Sequence, residues 1–135
     1  MYTKKGLTLA DAKAIAAAAE AEALKHGWNV TIAVIDDGGN LLYLQRLDDA
    51  PIGSVTVSQE KARTAFLFKR TTKSIEEAVV GGRAVMLTLP GATPIEGGLP
   101  LMHEGRMVGA IGVSGVQSPQ DAQVAQAGVE VAAKL

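Results

Sequence analysis

The sequence predicts an α+β domain in which an antiparallel sheet built from two β-hairpins is covered by helices. Three observations carry this reading. Apolar residues near both ends recur at helical spacing, and two pairs of short aliphatic segments are each joined by residues that tolerate positive φ. The elements also run in the order helix, hairpin, two helices, hairpin, helix. Strands joined by tight turns pair antiparallel, so a doubly wound parallel sheet is not expected. A single domain is expected over residues 1–135, with no linker, internal repeat or low-complexity tail.

The first helix is expected from Leu7 to His26. Thr8 is its N-cap, Asp11 answers the free N–H groups of the first turn, and Gly27 stops it. Ala12, Ile15, Ala16, Ala19 and Ala23 fall on one flat face that suits close packing on a sheet. Residues 29–36 (NVTIAVID) and 41–46 (LLYLQR) read as strands joined by Asp37-Gly38-Gly39-Asn40. After the loop 47–53, Ser54 or Thr56 is expected to cap a second helix reaching about Arg70, with Ala62, Ala65 and Phe66 inward. Residues 71–81 suggest a short third helix ended by Gly81-Gly82, and residues 83–94 carry no clear pattern. The second hairpin turns at His103-Glu104-Gly105, and Ser118-Pro119-Gln120-Asp121 starts the last helix with a cap, a proline and an acid.

Composition excludes several classes. With no cysteine there are no disulfides, thiolate metal sites or thiol nucleophiles. A formal net charge of −1 gives no overall attraction to nucleic acid or anionic membrane, so neither is an expected partner. Lys4 and Lys5 precede an alanine-rich segment, but Asp11, Lys13, Glu20 and Glu22 leave only Ala14–Ala19 as an apolar run. A secretory core needs roughly 7–15 unbroken apolar residues and a membrane span about 20, so a cytoplasmic protein is expected.

The stretch GGLPLMHEGRMVGAIGVSG (97–115) holds six glycines in nineteen residues, unusual for a hairpin. Gly109, Gly112 and Gly115 bare the backbone either for a flat ligand or for close packing by alanine-rich helices such as the first and last. Gly97 and Gly98, beside Pro100, sit where a bulge or pocket rim is common. No phosphate-binding glycine loop fits, and Gly112-Val113-Ser114-Gly115 lacks the final spacing of a serine elbow.

Lys61, Arg63, Lys69, Arg70 and Lys73 fall within thirteen residues that contain no acid. Arg63 and Arg70 share a helix face, and arginine suits bidentate contacts to carboxylates; a solvated face is the alternative. Of the two histidines, His26 meets the negative end of the first helix, or else borders a ligand as a metal donor. His103 lies at a hairpin turn, where exposure is expected. The two give no zinc signature. Asp36-Asp37 is expected to serve its turn, while Asp48-Asp49 precedes Pro51 in a loop that can rim a pocket.

Three segments resemble the GlcG/HbpS-like family, which includes the C-terminal domain of PduO-type proteins. They are AVIDDGGNLL (33–42), SQEKARTAFLFKRTT (58–72) and GGLP with GRMVGAIGVSG (97–100 and 105–115); SPQDAQVAQAG (118–128) continues the likeness. The resemblance implies a profilin-like α–β–α layered fold, homo-oligomers, and haem or a related tetrapyrrole as ligand in some members. Together the residues and the resemblance predict a small-ligand-binding, oligomeric domain without a complete catalytic constellation. Its site is expected between the 58–72 helix and the 97–115 hairpin. Lys61, Arg63 and Arg70 would face anionic groups, Gly97, Gly98 and Gly115 would admit the ligand, and His26 would ligate haem iron. The alternative is an enzyme acting on a small carboxylate or oxo-acid, of the kind associated with glycolate or diol use, with Lys61 or an aspartate as base.

Overall fold

The computed structural model describes all 135 residues. Helix α1 (Leu9–His26) begins at Thr8, which forms a reciprocal capping box with Asp11, and ends at Gly27 in the left-handed region. Strands β1 (Thr31–Asp36) and β2 (Leu41–Arg46) form the first hairpin. Asp36 holds that turn, its Oδ1 accepting from the N–H groups of Gly38 and Asn40. Helices α2 (Ser54–Phe68) and α3 (Thr72–Val80) follow, then a 3₁₀ turn over Ala84–Thr88 in the region without a clear pattern. Strands β3 (Gly98–His103) and β4 (Arg106–Ser114) make the second hairpin, and α4 (Ser118–Lys134) closes the chain.

The four strands form one antiparallel sheet in the order β2-β1-β4-β3, which makes this an α+β fold. Strand alternation sends Ile32, Val34, Ile111 and Val113 to one face, where they pack with Ile15 and the alanines of α1 and with Val124 and Ala125 of α4. Fully burying each of the isoleucine and valine side chains among them is worth about 1.5–3 kcal/mol. The opposite face carries Ile35 and Ala110 against Ala62 and Ala65 of α2. No helix is long and apolar enough to cross a membrane.

Gly112 of β4 and Gly98 of β3 are explained by α2 and not by the first and last helices, whereas a Cβ on Gly109 would meet the Ile35 carbonyl of β1 and the Leu7 side chain. A Cβ on Gly112 would run into the backbone carbonyl of Ser58 and lie 2.6 Å from the Ala62 nitrogen. One on Gly98 would strike the Lys61 carbonyl. The α2 backbone therefore lies directly on the bare strand surface, which a side chain would lift away.

Three boundary details differ from expectation. Gly53, not Ser54 or Thr56, precedes α2; the Ser54 hydroxyl instead bonds the Pro51 carbonyl and Thr31 Oγ1. Helix α2 stops at Phe68 because Lys69 turns left-handed, and Thr71 then caps α3. Gln117, one residue before Ser118, is the cap of α4.

Candidate functional site

A groove of about 1370 Å³ runs beside the edge strand β3. Its apolar wall is Phe66 and Leu67 from the end of α2, Leu99, Pro100 and Met102 from β3, and Met107 from β4. The register slips between Leu101 and Met102, so the strand loses its regular alternation beside the cleft. Charged residues also line it: Lys4, Asp37, Lys69, Arg70, Glu104 and Arg106.

The residues before α1 form one margin of this groove. Lys4 pairs with Asp37 at 2.9 Å, and Lys5 pairs with Glu104 at 3.2 Å. Hydrogen bonding to Asp37 raises the Lys4 ammonium above its ordinary value, and Lys5 draws the Glu104 carboxyl below its own. The Arg106 guanidinium lies 4.6 Å from the centre of the Tyr2 ring. Both groove carboxylates are thus matched, while Lys69 and Arg70 stand in no ion pair. Arg70 is steered by Ser74, whose Oγ accepts from its Nε at 2.7 Å. The groove therefore offers an apolar wall with three cations in no ion pair, the consecutive Lys69 and Arg70 and, over the Tyr2 ring, Arg106.

The expected site residues divide among five places. Arg70 lines the groove, together with Pro100. Lys61, Gly97 and Gly98 are packed together outside the groove: Lys61 is 1% exposed, and a Cβ on Gly97 would lie 2.8 Å from its Nζ. The space between α2 and the entry of β3 is filled by this lysine chain. Its Nζ donates to the Val113 carbonyl at 3.0 Å and to Asp121 Oδ2 at 3.1 Å. Arg63 is exposed and does not line the groove. Gly115, at φ +150, lies where the chain leaves β4, and a Cβ there would strike the Asn29 carbonyl.

His26 lies outside the groove as well. Its ring stacks on Trp28 with centroids 4.3 Å apart, and its Nε2 is 3.2 Å from both Glu22 Oε2 and Gln123 Nε2. His103 is not open to solvent as its turn position suggests. Its side chain is 11% exposed, and its Nδ1 lies 3.0 Å from the Ala132 carbonyl of α4. No group of three or more histidine, aspartate or glutamate side chains is placed to hold a metal ion.

Sequence reasoning placed Lys69 in the basic run but missed Asp121, Arg106 and the Tyr2–Lys4 segment. Asp121 was expected to serve the first turn of α4, but it is 2% exposed and turned inward. Burial pushes its carboxyl above the ordinary aspartate value, while Lys61 and the N–H of Val116 pull the other way. A signal was present, because Asp121 shares an i, i+4, i+7, i+11 stripe with Ala125, Gly128 and Ala132, all buried.

The fit of a tetrapyrrole follows from the donor set. The groove has a volume of about 1370 Å³, its wall is apolar, and its cations suit propionate groups. No histidine lines it; Met102, Met107 and Tyr2 are the nearest side chains of a type that ligates haem iron.

Residues 7–130 match the family described as haem degrading protein HbpS-like. Protein GlcG of Escherichia coli (strain K12) is 53% identical over 115 residues, covering 84% of this chain and 85% of that protein. The crystal structure of Klebsiella pneumoniae protein ORFY superposes with a TM-score of 0.91 at 34% identity, covering 100% of this chain and 96% of the other. The haem complex of PduOC superposes with a TM-score of 0.83 at 26% identity, covering 94% and 95% of the two chains. Matched along nearly its whole length, the chain belongs to the HbpS-like family.

Proposed function

We propose that this protein is a single-domain, cytoplasmic, homo-oligomeric binder of haem or a closely related tetrapyrrole. The observation that carries the proposal is the groove beside β3, where an apolar wall and the uncompensated cations Lys69 and Arg70 meet. A flat macrocycle with acidic substituents matches that combination: its rings lie against Phe66, Leu99 and Pro100 while its carboxylates reach the cations. Likeness to a domain solved as a haem complex supports the same ligand class. Bound haem would supply a redox-active iron; the chain's own residues bind the ring, orient its acidic edge and exclude water from one face.

Of the residues expected to hold the ligand, Arg70 takes that role directly. Lys61, Gly97 and Gly98 act behind the wall, fixing α2 against β3 so that Phe66 and Pro100 stay apart at the groove's width. Titration of the purified protein with haemin, followed by absorbance, tests the proposal. A saturable Soret shift at micromolar haemin is expected, and no shift removes haem as ligand.

A further inference from the structure

Three residues other than glycine hold a positive φ: Asp49, Lys69 and Glu104. Two have local reasons. Aspartate tolerates the left-handed region, and Glu104 precedes Gly105 in a two-residue hairpin turn whose geometry requires it. Lys69 has none. It occupies the position after α2 with φ 50 and ψ 44, its N–H donating to the Ala65 carbonyl, in the place where helices most often end on glycine. A lysine there carries a steric cost that glycine does not, and its side chain joins no ion pair that offsets it.

What the lysine does gain is a place in the groove. Lys69 and Arg70 are consecutive and both line the cleft, with Arg70 held by Ser74. The left-handed turn at Lys69 ends α2 and leads the chain directly to Thr71, the cap of α3, so the two cations sit on the corner between helices.

We propose that Lys69 is a specificity-determining residue: with Arg70 it forms a two-cation clamp that reads a carboxylate on the ligand's edge, and the backbone strain is retained to keep an ammonium there. The inference rests on the reading of the groove as a tetrapyrrole site and adds the discrimination of charged from uncharged ligand edges.

The experiment compares haemin with haemin dimethyl ester, whose propionates are uncharged, on the unmodified protein, Lys69→Gly and Lys69→Arg, with melting temperature measured in parallel. Lys69→Gly is expected to melt at the same temperature or higher, to bind haemin about three- to tenfold more weakly, and to bind the ester unchanged. Lys69→Arg is expected to keep the haemin affinity of the unmodified protein. If the unmodified protein binds haemin and Lys69→Gly binds it equally well, or loses haemin and ester alike, the clamp is wrong while the site stands. If the unmodified protein binds neither compound, the tetrapyrrole site itself fails and the clamp with it.

Discussion

Lys61 Nζ lies 3.1 Å from Asp121 Oδ2, with both side chains only 2% exposed. The pair joins α2, on one face of the sheet, to the first turn of α4 on the other, around the end of β4. Every polar atom is used: Lys61 also donates to Val113, and Asp121 Oδ1 accepts from the Val116 N–H. Neither residue lines the groove, so the pair is a structural fastening. Lys61→Met should cost about 3–5 kcal/mol in urea denaturation, because it leaves a buried carboxylate unpaired. Lys61→Met/Asp121→Asn should recover at least about half of that, the new amide still accepting from Val116. Equal losses in the single and double variants would refute the coupling.

The same pair sets a pH dependence. Burial already holds the Asp121 carboxyl above its ordinary value, and Lys61 is the largest influence opposing that shift. Removing Lys61 raises the carboxyl further. The folded state then binds a proton at a pH where the unfolded chain has released it, so stability falls as pH rises through that window. The penalty of Lys61→Met should therefore shrink on moving from about pH 7 to about pH 4. A penalty that grows on acidification would contradict the assignment.

Much of this arrangement was legible in the sequence, and the parts that were not share a cause. The helices, both hairpins and the Thr8 and Gly27 caps follow from periodicity and turn chemistry, which act over a few residues. Lys61 and Asp121 were read locally too, as a member of a basic run and as a first-turn acid. Each instead lies on the buried stripe of its helix, Lys61 with Ser54, Ser58 and Ala65, Asp121 with Ala125 and Gly128. A base on one inward stripe and an acid on another is a pairing signal, yet it becomes visible only when two elements 60 residues apart are considered together. The groove was half legible: Arg70 and Pro100 were expected there, but Lys4, Tyr2 and Arg106 reach it only through tertiary packing.

The glycines of the second hairpin should differ sharply in tolerance. Gly112→Ala places a Cβ against the Ser58 carbonyl and the Ala62 nitrogen, backbone atoms that cannot turn aside. It should cost about 3 kcal/mol by forcing α2 off the sheet. Gly105 has open space around it and φ +77, so Gly105→Ala meets only backbone strain, about 1 kcal/mol. Chemical denaturation orders the two; similar costs would mean that α2 does not rest on β4 as described.

Glu22 supplies an opposite pH effect at the far end of α1. A hydrogen bond from Gln123 Nε2 at 2.8 Å, and then the contact with His26, draws its carboxyl below the ordinary glutamate value. The folded state holds this group ionised where the unfolded chain protonates it, so its contribution is present above that range and lost as pH falls through it. Glu22→Gln should flatten the decline in melting temperature between about pH 5 and about pH 3. An unchanged slope would show that the contact with α4 does not bias its titration.

Arg63 and Arg70 carry the same charge seven residues apart, and their surroundings separate them. Arg70 lines the groove with its Nε fixed on Ser74, whereas Arg63 is exposed on α2 away from the cleft. An exposed cation without a positioned partner contributes little to binding, while a pre-oriented guanidinium loses little freedom on meeting a carboxylate. Arg70→Ala should weaken haemin binding about three- to tenfold, with Arg63→Ala close to the unmodified protein. His26→Ala should leave the Soret position unchanged, since His26 is stacked on Trp28 outside the groove. Calorimetric and absorbance titrations of the three variants decide the matter. A loss confined to Arg63→Ala, or a Soret shift in His26→Ala, would move the ligand to another surface.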